Sequence, residues 1–180
     1  MGAGQVGTTR AALARGEVAV LGATRRVLGH TPAVPLARGL SLFGEHAAGW
    51  LLLGAAGWLR GRDRRDWATA TLGVLLAHGA AVGVKRAARR SRPVLEAVPS
   101  LVRTPSTLSF PSAHAASTAA AAAGFGPLVG RPVMTAALGA MAVSRVLLGV
   151  HWPTDVVAGA VLGTAVASGV RRAAIPGEDR

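Results

Sequence analysis

The sequence predicts an all-α, integral-membrane helical bundle of about five transmembrane helices, preceded by an amphipathic helix at the N-terminus. Three observations lead there. The 180 residues are 51% hydrophobic with a mean hydropathy of +0.41, too apolar for an ordinary soluble domain of this length. The apolar stretches are about as long as a bilayer crossing and are separated by charged or proline-containing punctuation. The apolar residues are mostly Ala, Gly and Val, weak inserters individually but small enough to let helices approach closely.

Taken in order, residues 1–36 contain no uncharged run long enough to span. Read as a helix, Arg15 and Arg26 fall on one side with Leu13, Val20, Val27 and Leu28 roughly opposite, which predicts an interfacial amphipathic segment. Glu17 breaks that pattern by falling on the apolar side, and Gly16 and Gly22 weaken the helix. No signal peptide is recognisable. Gly39 to Leu59, apolar except for Glu45 and His46, reads as the first span, closed by the charged turn Arg60 to Arg65. Trp67 to Val84 is uncharged for 18 residues, about 27 Å of helix and close to the hydrocarbon thickness. A basic run from Lys85 to Pro93 follows, and residues 94–111, bracketed and interrupted by Pro93, Pro99, Pro105 and Pro111, read as a loop. Ala113 to Gly130 is the third span. Pro132, suited to a first helical turn, opens the fourth, which runs to about Val150. Val156 to Val170 is the fifth; its 15 residues cover only about 22 Å, so it is expected to extend into its flanks or to sit in a thinned bilayer. Residues 37–176 thus form the membrane domain and residues 177–180 a polar tail.

The net charge of +12, from 20 basic and 8 acidic residues, suits helix flanks beside anionic headgroups. A nucleic-acid partner is not expected, because the chain has no Tyr, only three Phe and four Trp, and no recognisable nucleic-acid module. The absence of Cys excludes disulfides, thiolate catalysis and cysteine-ligated metals. Counting five alternating spans puts the loop 85–111, the turn at His151 and the N-terminal segment on one side. Twelve basic residues then lie on that side and eight on the other, so charge bias does not set the orientation.

Three clusters on that one side carry chemistry. In KRAARRSRP, Lys85, the only Lys, and Arg92 lie seven residues apart, so a continuing helix would put both near one face. In FPSAHAAS, Ser112 is placed as an N-cap with His114 in the first turn behind it, and a helix N-terminus offers free N–H groups to an anion. In SRVLLGVHWPTD, His151 and Asp155 are four apart, so the carboxylate can hold one imidazole nitrogen while the other points outward. Arg145, six residues earlier, is a permanently charged fork suited to phosphate oxygens. Each cluster alone has a plain reading as a membrane-boundary charge or a helix cap; together they point to chemistry on a phosphoryl group.

At these residues the chain resembles the type 2 phosphatidic acid phosphatase superfamily, whose fold is shared with vanadium haloperoxidases. Lys85 through Arg92-Pro93 meets the family's first motif. Ser144-Arg145, His151 and Asp155 meet its third with the right spacing. Pro111-Ser112-Ala113-His114 matches the second except that Ala113 replaces a glycine.

The resemblance implies a metal-independent hydrolase without cofactor that works through a phosphohistidine. His151 would be the nucleophile, oriented by Asp155; His114 would be the acid and then the base; and Lys85, Arg92, Ser112, the backbone N–H of Ala113, Ser144 and Arg145 would cradle the phosphate. It further implies a lipid-phosphate substrate on a polyprenyl-type carrier at a bacterial plasma membrane, among them decaprenylphosphoryl-phosphoribose. Polyprenyl pyrophosphate, phosphatidylglycerophosphate and phosphatidic acid stay open, as do a degenerate membrane scaffold or lipid-phosphate binder and a vanadate-dependent oxidase. Nothing in the sequence sets the oligomeric state. Among the other polar residues, His78 is expected to be a buried interhelical hydrogen-bonder, His30 to lie on the surface, and Trp50, Trp58, Trp67 and Trp152 to anchor at the interface, while for Glu45 and His46 the lining of a substrate path is the less favoured of two readings.

Overall fold

The computed structural model describes residues 3–174, with side chains from residue 11 onward, so the 177–180 tail lies outside the described residues. Seven helices occur among the described residues: α1 (Ala3–Leu28), α2 (Ala33–Gly44), α3 (Ala48–Leu59), α4 (Arg64–Ala88), α5 (Ala113–Val129), α6 (Arg131–Leu147) and α7 (Pro153–Ala174). A single 3-10 turn, Glu45–Ala47, joins α2 to α3. No strand occurs among the described residues; the loop 89–112 contributes one isolated bridge, Ser91 to Leu108.

The Ala-rich α5 is the central rod, packed by α4, α6 and α7. Small residues make this possible. A Cβ built on Gly159 would sit 2.4 Å from the Ser112 carbonyl oxygen, and one on Gly163 2.0 Å from that of Ala116, so α7 meets α5 backbone to backbone through two glycines one turn apart. Bulky side chains point the other way: Leu72, Leu75 and Leu76 on α4 and Val157 and Val161 on α7 are exposed, while Ala70, Val74, Ala77 and Ala167 are buried. At these positions of α4 and α7 the smaller residues face inward and the larger apolar ones outward, as in a bundle whose solvent is lipid. Among the described residues, α4 and α7 are the two helices long and apolar enough to cross a membrane on length and composition. The 22 residues of α7 show that the last apolar segment does extend into its flanks.

Four expectations are corrected. The segment 39–59 is not one helix: His46 and Ala47 take left-handed conformations (φ 50° and 60°), breaking it into α2 and α3 and turning Glu45 and His46 out of the helical register. Each such residue costs about 1–2 kcal/mol for an L-amino acid. The helix carrying Lys85 stops at Ala88, with Arg89 left-handed (φ 50°), so Arg92 does not share a helical face with Lys85 but returns on the loop. Trp50 and Trp67 are core residues, not interface anchors. Trp50 is 6% exposed and its Nε1 donates to Thr118 Oγ1 at 3.0 Å, while Trp67 packs on Phe125 with ring centroids 5.3 Å apart. His78 is not the satisfied buried hydrogen-bonder expected, since its buried Nδ1 has no hydrogen-bond partner among the described residues.

The N-terminal segment packs on the bundle. Glu17, Leu21 and Arg25, four apart, form the docking stripe: Leu21 is fully buried among Val98, Ala115, Val146 and Val156, and Arg25 Nη2 donates to the Pro99 carbonyl at 2.8 Å. Leu13, Val18, Val20 and Val27 remain exposed.

Candidate active site

A cavity of about 310 Å³ opens between the start of α5, the ends of α4 and α6, the α2–α3 turn and the loop 89–112. Lys85, Arg92, Ala113, His114, Arg145 and His151 all line it, with Ser41, Glu45, His46 and His78 on the wall made by α2, its turn and α4. Ser112, Ser144 and Asp155 do not reach the cavity and stand in the wall behind it.

His151 sits in the turn between α6 and α7 and is 2% exposed. Its two nitrogens face different environments. Nε2 lies 3.2 Å from Arg92 Nη1, which can only donate, so Nε2 is the unprotonated nitrogen. Nδ1 faces Asp155 Oδ2 at 3.6 Å, slightly beyond hydrogen-bond distance; the attraction between them is the electrostatic hold of a carboxylate on the N–H it faces. Burial pushes the imidazole down to about 4, against the pull of Asp155, with Arg92 and Lys85 adding to the depression. His151 is therefore neutral throughout the neutral pH range, and its Nε2 lone pair, which accepts from Arg92 Nη1, is released to attack once Arg92 turns to a phosphate oxygen.

Arg92 is fixed by the loop: Nε donates to the Ser106 carbonyl at 2.8 Å and Nη1 to the Val150 carbonyl at 2.6 Å. Arg145, 2% exposed near the end of α6, uses Nε on Ser144 Oγ (3.1 Å) and Nη1 on Ser41 Oγ (3.1 Å), which leaves Nη2 buried without a partner. An unpaired guanidinium N–H beside the cavity is a donor held ready for an anion. Lys85 is tethered by a long contact to the Leu108 carbonyl (3.4 Å).

Ser112 caps α5, its Oγ accepting from Ala115 N at 3.3 Å, and its own N donates to the Asp155 carbonyl at 2.9 Å, tying the second cluster to the third. Ala113 opens α5 in helical conformation, so the glycine it replaces is not needed here for backbone freedom. His114 Nε2 donates to the Ser41 carbonyl at 3.0 Å, which fixes the proton on that nitrogen. Ser41 thus contacts both His114 and Arg145, a role no sequence pattern marks.

Behind His151, Asp155 is fully buried and accepts from Trp152 N at 2.8 Å and from Arg90 Nη1 at 2.8 Å. Arg90 also donates to Glu17 Oε2 at 2.6 Å, and Glu17 accepts from Thr154. No motif marks Arg90 or Glu17 as a site residue; the one signal in the sequence is that Glu17 falls on the apolar side of its helix.

Residues 67–174 match the model of the PAP2 superfamily. The chain is 49% identical over 154 residues to the decaprenylphosphoryl-5-phosphoribose phosphatase of Mycobacterium tuberculosis, covering 84% of this chain and 87% of that one. It is 51% identical over 147 residues to the protein of the same name from Mycolicibacterium smegmatis, covering 81% and 82%. Among solved structures, the fold resembles a transmembrane PAP2-type phosphatidylglycerolphosphate phosphatase from Bacillus subtilis (TM-score 0.75, 22% identity, 94% of this chain and 90% of that one). It also resembles Aquifex aeolicus LpxE (TM-score 0.65, 22% identity, 83% and 92%). The chain belongs to the PAP2 superfamily.

Proposed function

We propose that this protein is a membrane-embedded lipid phosphatase that removes the terminal phosphate of decaprenylphosphoryl-5-phosphoribose or a closely similar polyprenyl phosphosugar. The observation that carries the reading is the convergence of Lys85, Arg92, His114, Arg145 and His151 on one cavity. The names of relatives at about half identity supply the substrate class.

The chemistry follows from the nitrogens. His151 Nε2 attacks phosphorus; the P–N bond forms as the P–O bond to the ribose breaks, and Asp155 stabilises the positive charge that develops on the imidazole. His114 acts from its imidazolium form, protonated beside the bound phosphate anion: it gives its Nε2 proton to the departing oxygen, which takes the place of the Ser41 carbonyl as its partner, and as neutral imidazole then takes that proton back from the water that cleaves the P–N bond. Arg92, Lys85 and the unpaired Arg145 Nη2 hold the equatorial oxygens, where charge is spread in the transition state. Ser112, the Ala113 N–H and Ser144 support that cradle from behind. The cycle returns both histidines to their starting protonation.

A phosphoribosyl lipid has a second phosphate at the lipid linkage, and the cavity has a second pair of cations, Arg86 and Arg103, beyond the first set. Its hydroxyls need acceptors, and Glu45 is the only carboxylate among the cavity-lining residues, accompanied by His46 and by His78 with its unpartnered Nδ1. A carboxylate in a cationic phosphate site repels the phosphate itself but suits a sugar hydroxyl. Placement of α4, α5, α6, α7 and the kinked α2–α3 pair as five crossings of a bacterial plasma membrane completes the reading, with the headgroup entering from water and the polyprenyl chain remaining among exposed apolar side chains.

The test is phosphate release by the purified protein with EDTA present, from a polyprenyl phosphoribose, a polyprenyl pyrophosphate, phosphatidylglycerophosphate and phosphatidic acid, with His151→Ala alongside. Release that is fastest on the phosphosugar and disappears in the variant is expected. Silence on every lipid by folded wild type would refute the enzyme reading, and a preference for phosphatidic acid would refute the substrate.

A further inference from the structure

The family match begins at residue 67, yet a residue of α1 is built into the wall behind the nucleophile. Glu17 is 9% exposed, in a helix whose neighbouring positions are open. Burying a carboxylate is costly unless it is paired, and Glu17 is paired only toward the catalytic turn: Oε2 to Arg90 Nη2 at 2.6 Å, Oε1 to the Thr154 N–H at 3.3 Å and to the Thr154 hydroxyl. Arg90 spends its other arm on Asp155 Oδ1 (2.8 Å) and Thr154 Oγ1 (2.6 Å), and its guanidinium lies over the Trp152 ring, 5.4 Å from the centroid. Its two close basic neighbours Arg86 and Arg89 are exposed and make no such contacts. One guanidinium therefore serves two buried carboxylates, a task that needs Arg's rigid fork and that a Lys ammonium could not match.

We infer that Glu17 and Arg90 are positioning residues for the reaction: through Asp155 they set the orientation and basicity of His151, so that α1 is part of the catalytic machinery as well as a surface helix. This rests on the reading of His151 as nucleophile. The two act with opposite sign. Glu17 shares the charge of Arg90; without it the guanidinium falls wholly on Asp155, draws its electron density away from the imidazole and makes His151 harder to protonate. Removing Arg90 leaves two carboxylates facing each other across the turn, which strengthens the hold of Asp155 on a protonated His151. The other groups facing His151, namely Arg92 of the loop, Lys85 on α4 and His114 on α5, are the same in every variant.

The experiment compares full-length wild type, Glu17→Gln, Arg90→Gln and Leu21→Ala in a phosphoribosyl-lipid assay across pH, with thermal unfolding measured in parallel. Titration of the substrate's own phosphate is common to all and cancels in the comparison. Glu17→Gln is expected to lower kcat about tenfold with KM nearly unchanged and to move the acid limb of kcat/KM to lower pH. Arg90→Gln is expected to lower kcat further and to move the limb to higher pH. Leu21→Ala, which loosens α1 without touching a charge, should lower the unfolding temperature and leave the limb in place. Limbs that coincide with wild type in both charge variants, limbs that move in the same direction, or a Leu21→Ala shift as large as that of Glu17→Gln would overturn the proposal. Full turnover by His151→Ala would instead remove the nucleophile on which this and the phosphatase reading both stand.

Discussion

The two sides of His151 are built on opposite rules. In front, toward the cavity, polar groups are left with capacity to spare: Arg145 Nη2 has no partner, Lys85 has one long contact, His78 Nδ1 has none, and several cations crowd a space of about 310 Å³ with a single carboxylate. Behind, both oxygens of Asp155 and both of Glu17 are engaged, and Arg90 donates from both arms. A site that must take up and release an anion keeps its donors unsatisfied until substrate arrives; behind His151 the carboxylates are saturated instead, and only the imidazole Nδ1, 3.6 Å from Asp155 Oδ2, stays short of a hydrogen bond. Losses in front should therefore appear in both binding and turnover, and losses behind in turnover alone.

The sharpest way to break the comparison is at the residue the two sides share. His151→Ala should abolish turnover, by about 10⁴-fold or more, as loss of a covalent nucleophile does. In front, Arg145→Lys removes the unpaired donor while keeping the charge; a loss of about 10²- to 10³-fold in kcat/KM is expected, with KM for the phosphate raised as well as kcat lowered. Steady-state kinetics on a single phosphosugar lipid reads both. Glu45→Gln should be milder: roughly tenfold loss on the phosphoribosyl lipid and no loss on phosphatidic acid, measured as the ratio of the two rates. Smallest is a change in neither wall's chemistry. Ser112→Ala deletes the α5 cap and should cost about 1 kcal/mol of stability, seen in thermal unfolding, with modest effect on rate.

The front wall also fixes a pH dependence. Because burial depresses His151 to about 4, the imidazole is deprotonated and competent above that value. The acid limb it sets should therefore lie well below the ordinary imidazole range, and an enzyme-side limb near 6.5 on the pH profile of kcat/KM would contradict the burial seen here.

Much of the site was legible in the sequence because its residues carry charge in places lipid forbids. Arg145, His151 and Asp155 stand out inside an apolar stretch, Lys85 stands out as the only Lys, and Ser112 before an Ala run is a cap by composition. The helices α4, α5, α6 and α7 followed from apolar length and from Pro132 for the same reason. What was not legible depends on backbone turns and on contacts distant in sequence. No Gly or Pro marks His46, Ala47 or Arg89 as left-handed, so the break between α2 and α3 and the end of α4 at Ala88 were hidden. Arg90 is one Arg of several in a run, told apart from Arg86 and Arg89 only by what lies across from it. Glu17 did leave a trace: a charge on the apolar side of an amphipathic helix implies a buried partner, although the sequence does not say which.

The central claim is that His151 carries the phosphate between the two half-reactions. The most direct measurement is rapid acid-free quench of the protein with a phosphosugar lipid labelled in its terminal phosphate, followed by mapping of protein-bound label. In His114→Ala, where the water step is slowed, an acid-labile, alkali-stable phosphate is expected on His151, and none in His151→Ala. Label on any other residue, or full turnover by His151→Ala, would contradict the account.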